Sequence, residues 1–266
     1  GQPAGDRAVG AGAVVAASRA GGRARNPRLR WIGFPRCLTP QPMSQSIKDP
    51  SELQSIYEHR FSSMLEYRTA VWRVLTAKFF QQFVRPSDRV LDLGCGYGEF
   101  INHIACGERF GMDLNPKSPT YLAPGVKFLA QDCSTRWQLP DASLDVVFTS
   151  NFFEHLPDKK ALRDTLVEAH RCLRPGGRLI ALGPNIKYVQ GAYWDFWDHF
   201  LCLTEMSLGE ALENNGYRVV RTHARFLPYS MVNVPRYPLA FLRAYLALPI
   251  LWPIFGRQFL VVAERL

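Results

Sequence analysis

Paired cysteines are absent from this sequence: Cys37, Cys95, Cys106, Cys133, Cys172 and Cys202 are scattered along 266 residues with no C-x-x-C among them. Zinc ribbons and redox dithiols need such spacing, and several of these thiols fall inside apolar patterns where small buried cysteines are common. The expectation is a reduced, cytoplasmic setting with no metal centre and no disulfide framework. An uninterrupted membrane span is missing as well, because the most apolar stretch, Tyr237 to Phe255, is broken by Arg243, Pro249 and Pro253. There is no internal repeat. Acidic residues are scarce in the first 42 positions, where Arg7, Arg19, Arg23, Arg25, Arg28, Arg30 and Arg36 face Asp6 alone. That segment holds +6 of the net +9, leaving +3 for residues 43 to 266. A body this close to neutral removes the case for specific nucleic-acid binding that the overall charge would make.

Residues 1–42 also lack hydrophobic periodicity. Rich in Ala, Gly, Arg and Pro, they cannot bury enough apolar surface to offset the entropy of ordering them, and they read as a disordered extension. An Arg-rich, acid-poor start resembles an organelle transit peptide. The preferred reading is an artefact of a mis-set start codon or of cloning, because Met43-Ser44 makes a natural beginning. Contact between this tail and RNA would be electrostatic and nonspecific. Residues 43–266 suffice for one α/β domain with a full core.

What is present is alternation. From Ser51, Leu53, Ile56, Phe61, Leu65, Trp72, Leu75, Phe79 and Phe80 recur at helical spacing, with Asp49 and Ser51 as caps, predicting two helices. Apolar runs at Arg89 to Leu93, Phe110 to Leu114, Val126 to Ala130, Leu144 to Thr149 and Leu179 to Leu182 then alternate with helical stretches at Glu99 to Ala105 and Lys159 to Leu173. The second of these helices is expected to end at Arg174, before Pro175, Gly176 and Gly177. A helix over Thr204 to Asn214 and strands at Tyr217 to Ala224 and Gln258 to Ala263 complete the pattern. The fold class is α/β: a doubly wound, seven-stranded, mostly parallel sheet of Rossmann-like type, with the last strand pairing antiparallel.

The strongest chemical signal is Val90-Leu91-Asp92-Leu93-Gly94-Cys95-Gly96-Tyr97-Gly98-Glu99. Glycine at every second position permits a sharp turn and close backbone approach to a ligand. The dinucleotide fingerprint is G-x-G-x-x-G, so this G-x-G-x-G turn disfavours a nicotinamide oxidoreductase. Asp113 ends the second strand 21 residues after Asp92, the usual distance for a carboxylate that accepts ribose hydroxyls. Asp132 ends the third at the same sheet edge, placed to accept from an adenine amino group, with the Cys133 amide for a ring nitrogen.

The order and spacing of VLDLGCGYG from Val90, GMDL from Gly111, QDC from Gln131, LDVVFTSNFFEHL from Leu144 and LRPGG from Leu173 resemble the class I S-adenosylmethionine-dependent methyltransferases, of the type acting on small molecules. The likeness covers roughly Tyr57 to Gly216. It implies S-adenosylmethionine as cofactor, with Asp92, Gly94, Gly96 and Gly98 at its methionine portion, Asp113 and Leu114 at the ribose, Asp132 and Cys133 at the adenine, and Asn151 and Phe152 beside the sulfonium. It also places Arg68 against the methionyl carboxylate, although a solvated helix arginine is the plainer reading. Tyr57 and Tyr67 read as packing residues.

Methyl transfer from a sulfonium is an in-line displacement, for which alignment in a dry pocket does much of the work. If the acceptor is a hydroxyl, His199 or His155 is the natural proton acceptor, with Asp198 or Glu154 as carboxylate alternatives. Against this, Glu154-His155 reads as the opening of the helix after the fourth strand. The segment Tyr193 to Phe200 reads either as packed aromatics or as an acceptor-site wall. Ser150-Asn151-Phe152-Phe153 lacks the Pro-Pro of nucleic-acid amino methyltransferases. An acceptor lid is expected over about 186–203 and 227–256. Tyr237 to Phe255 is either a cap over the sheet or a peripheral membrane contact aided by Arg236 and Arg243. The expected acceptor is a small molecule, leaning to an oxygen of a glycan, lipid or quinone precursor. A non-catalytic cofactor-binding partner protein is the alternative.

Overall fold

The computed structural model describes residues 64–229 and 236–266. The expected caps at Asp49 and Ser51, the first helix, Cys37, Tyr57 and the 1–42 extension lie outside them. The first described helix, α1 (Leu65–Lys78), buries Trp72, Val74 and Leu75, places Lys78 in its last turn and gives way to a 3-10 turn at Phe80–Phe83. The strands are β1 (Arg89–Leu93), β2 (Glu108–Met112), β3 (Val126–Leu129), β4 (Leu144–Ser150), β5 (Leu173–Pro184), β6 (Tyr217–His223) and β7 (Gln258–Arg265). They form one sheet in the order β3-β2-β1-β4-β5-β7-β6. The first five pair in parallel; β7 runs antiparallel to both β5 and β6, as expected of the last strand.

Helix α2 (Lys159–Cys172) starts where the Asp158 carboxylate accepts from the Ala161 amide, and α3 (Glu205–Glu213) starts at a reciprocal Thr204–Ser207 capping box. Helix α4 (Leu239–Ala247) lies in the segment that leads into β7. Leu91, Leu93, Val147, Leu179 and Val261 form one core cluster, together with the apolar sides of α2 and α3. Val90, Val146, Phe148, Ile180 and Val262, the alternate residues of the same strands, form the other with Trp72, Phe80 and Trp252. This two-residue period places a hydrophobic layer on each face of the sheet.

Two expectations differ from the structure. Glu99 to Ala105 is a run of turns ending at His103, not a helix. The Asp92 carboxylate takes the Ile101 amide, and the Asn102 side chain bonds the Tyr121 carbonyl and the Ala123 amide, so side chains compete with the helical ladder. The helix expected to reach Arg174 ends at Cys172, because Leu173 is already extended (ψ 142°) and pairs with Leu144 on β4. Gly176 takes the left-handed conformation (φ 73°) within the strand's first turn.

Candidate active site

The sheet reverses its order outside β1 and β4, and the crevice beyond their carboxyl ends is where open α/β sheets bind ligands. The glycine turn after β1 lies there. Gly94, Gly96 and Gly98 have φ of 71°, 51° and 76°, a region that side chains disfavour. The Gly94 and Cys95 amides both donate to the Met112 carbonyl of β2, at 2.9 and 3.1 Å, which fastens the turn to the neighbouring strand. A Cβ on Gly94 would stand 2.3 Å from ring carbons of Phe152, so the aromatic that follows β4 rests directly on the first glycine.

Three acids converge on this edge. Asp92 is buried, and burial followed by the charge of Glu99 pushes its carboxyl well above the usual range, while the Ile101 amide, donating at 3.3 Å, pulls the other way. Asp113 accepts from the Gly96 amide at 2.7 Å and from the Asn115 amide at 2.8 Å; burial still holds its pKa up. Leu114 follows it, half-buried. In the same turn, Asn115 Nδ2 and Ser118 Oγ are buried without a hydrogen-bond partner. Asp132 accepts from the amide and hydroxyl of Ser134 at 3.0 and 2.8 Å. Cys133 is buried behind it, with its carbonyl accepting from Trp137 Nε1 at 2.8 Å. Asn151, at the end of β4, is a non-glycine residue in the left-handed region (φ 48°), and its amide donates to the Leu182 carbonyl at 2.8 Å. Arg68 pairs with Glu99 at 2.5 Å, a partner the sequence does not announce, beside the glycine turn.

The second set of predicted residues also comes together. Glu154 and His155 do not open a helix: they occupy a 3-10 turn at Phe153–His155, four residues before α2. The chain before α3 then returns over them. The Phe200 and Leu201 amides both donate to the Glu154 carbonyl, at 2.8 and 3.1 Å, which seats Asp198 and His199 on the turn. His155 Nδ1 is 3.2 Å from Asp198 Oδ2 and 2.9 Å from the Asp198 carbonyl. His199 Nδ1 is 2.9 Å from the Tyr193 carbonyl, and the two imidazole centroids are 4.9 Å apart. A carbonyl cannot donate, so each ring carries a proton on Nδ1. Glu154, 3% exposed, has a carboxyl pushed up to about 7 by burial, against the pull of His155. Burial opposes the charged form of His155, but the Asp198 and Glu154 carboxylates outweigh it and raise its pKa. Tyr193, fully buried, was foreseen only as part of an aromatic run; nothing in its spacing marks a carbonyl that orients a histidine.

Bare backbone at one bend, a carboxylate on each of the next two strands and unspent donors beside Asp113 fit a nucleoside with an amino-acid tail. Residues 91–181 match the family model described as a methyltransferase domain. The chain is 29% identical over 183 residues to a demethylmenaquinone methyltransferase of Symbiobacterium thermophilum, covering 59% of this chain and 71% of that protein. It is 31% identical over 118 residues to phosphoethanolamine N-methyltransferase 1 of Arabidopsis thaliana, which is 40% of this chain but only 23% of that relative's length. Among solved structures, an S-adenosylmethionine-dependent methyltransferase from Archaeoglobus fulgidus superposes with a TM-score of 0.57 at 21% identity, covering 77% of this chain and 99% of that one, a likeness of fold. Residues 91–181 thus carry the likeness to a methyltransferase domain, on a fold shared with a solved S-adenosylmethionine-dependent methyltransferase.

Proposed function

We propose that this protein transfers a methyl group from S-adenosylmethionine to an oxygen of a small apolar acceptor, a quinone or lipid precursor met at a membrane surface. The cofactor supplies an electrophilic methyl on a sulfonium, open to in-line displacement. Asp113 would take the ribose hydroxyls: a carboxylate has about four acceptor sites, and the Gly96 and Asn115 amides use two. Asp92, Gly94, Gly96 and Gly98 would face the methionine portion, Leu114 the ribose, and Asp132 with Cys133 the adenine. Phe152 and Asn151 would shield the sulfonium. The Glu154, His155, Asp198 and His199 cluster, beginning two residues beyond Phe152, would handle the proton of the acceptor oxygen.

The observation that carries the acceptor reading is the face leading into β7. Gln258, the first residue of β7, pairs with Pro184, the last of β5, so this segment sits at the same sheet edge as the glycine turn. Between Asn214 and Ala263 the sequence holds six arginines and no acidic residue. On the described part of that stretch Phe241, Ile250, Ile254 and Phe255 are more than half exposed, and on the lid Trp197 is 81% exposed. Apolar side chains, interfacial aromatics and positive charge without negative charge match the surface of an anionic bilayer. No helix of the described residues is long and apolar enough to cross one. The demethylmenaquinone methyltransferase relative supports a quinone-like acceptor.

The test is co-sedimentation with vesicles of phosphatidylglycerol and phosphatidylcholine, together with methylation of a labelled cell extract. Ile250→Asp with Phe255→Asp should release the protein from vesicles and slow methylation of a lipid-soluble quinol. Equal turnover of water-soluble acceptors, with no vesicle binding, would overturn the acceptor class. No labelled product from any fraction would overturn the activity.

A further inference from the structure

We propose that Glu154, His155 and His199 form a binding site for one divalent transition-metal ion of the zinc class. The inference deepens the proposed function, since the ion would sit where the acceptor oxygen is handled, yet ion binding can be measured without methyl transfer.

The three residues offer one ligand atom each, all within 4.8 Å of one another. Ligands about 2.1 Å from a tetrahedral ion lie about 3.4 Å apart, so the widest pair has to draw in by up to about 1.4 Å, mostly by movement of the Glu154 carboxylate. Two imidazoles and a carboxylate with an open fourth position is the ligand set of a Lewis-acid site rather than of a sealed structural one.

Three further observations separate this cluster from a chance grouping. The outer shell is already built: the Asp198 carboxylate and carbonyl hold His155 Nδ1–H, and the Tyr193 carbonyl holds His199 Nδ1–H. With Nδ1–H held in this way, Nε2 is the atom of each ring that would ligate, the ion displacing any proton there. The cluster is also largely buried, with Glu154, His199 and Asp198 only 3%, 6% and 6% exposed and the His155 side chain 28% exposed on its open side. Finally, the two halves are locked in register by the Phe200 and Leu201 amides on the Glu154 carbonyl. Held there, the ion would polarise an acceptor oxygen and lower the pKa of a hydroxyl without any redox change.

Protein stripped with a chelator is titrated with Zn2+ by calorimetry and with Co2+ by visible absorption, the full chain being used throughout. One ion per chain is expected, with ligand-field bands of a low-coordinate nitrogen and oxygen site. Glu154→Gln, which keeps shape and removes charge, and His199→Ala should each weaken binding at least tenfold. Cys202→Ser, at an exposed thiol, should leave it unchanged. Folding of each variant is checked by circular dichroism, and Glu154→Gln decides if His199→Ala does not fold. Binding that is absent, or unmoved by Glu154→Gln, overturns the proposal. An intact methyl transfer in stripped protein would sink the ion's catalytic use while leaving the methyltransferase reading standing. Loss of transfer with ion binding retained would do the reverse.

Discussion

The Gly96 amide donates to Asp113 Oδ2 at 2.7 Å, so the acid that ends β2 grips the middle glycine of the turn that ends β1. One carboxylate thereby both shapes the turn and faces the crevice. Asp113→Ala should weaken S-adenosylhomocysteine binding by about 1–3 kcal/mol, roughly five- to 150-fold, through lost charge-assisted hydrogen bonds. Calorimetry measures it, and Asp113→Asn, which keeps one acceptor, should fall between the two.

Gly94→Ala tests the contact with Phe152. Its Cβ would meet the ring at 2.3 Å while the backbone holds φ at 71°, so either the turn or Phe152 must move. The cost expected is about 1–3 kcal/mol of stability, read by denaturant melting, together with loss of cofactor affinity. A Gly94→Ala, Phe152→Ala double variant should recover part of the stability, because only the backbone term remains.

The pH dependence of the cofactor-free protein follows from Asp92, whose carboxyl is raised in the fold by burial and then by Glu99. A carboxyl raised on folding binds its proton more tightly in the native state. Its contribution is therefore fully present below the ordinary carboxylate range and is lost as pH rises through the raised value. Asp92→Asn should remove that fall and make the cofactor-free protein more stable near neutral pH. Melting temperatures of both forms across mildly acid to mildly alkaline pH check the sign, and a steeper fall in the variant would contradict it.

Asp198→Ala should lower kcat at least tenfold with little change in cofactor affinity, since Asp198 holds the ring of His155 and lies far along the chain from the glycine turn. Single-turnover rates and S-adenosylhomocysteine titration separate the two effects.

The sheet is legible in the sequence wherever a two-residue or continuous apolar pattern stops at a glycine: Arg89 to Leu93 is read to the residue, and Thr204 and Gly216 mark the ends of α3. It is less legible where side chains replace the backbone ladder, as at Glu99 to His103, because helical spacing says nothing about Asn102 bonding Tyr121. The glycine turn and its acids stand out because backbone geometry restricts residue type there. The pairing of His155 with Asp198 spans 43 positions and depends on how the chain before α3 folds back, and no local period encodes that. Arg68 likewise looks like any helix arginine until β1's turn brings Glu99 against it.

The placing of β7 between β5 and β6 has a consequence for biosynthesis. As the polypeptide emerges from the ribosome, β6 has no neighbour to zip onto, and β5 shows a bare hydrogen-bonding margin, until Gln258–Arg265 arrives and slots between them. Nascent chains stalled before that point carry two open strand margins, the feature through which partly made proteins stick together. Nascent-chain chaperones should therefore be needed until β7 has been made, and arrested chains ending before Gln258 should stay sensitive to protease where longer ones do not.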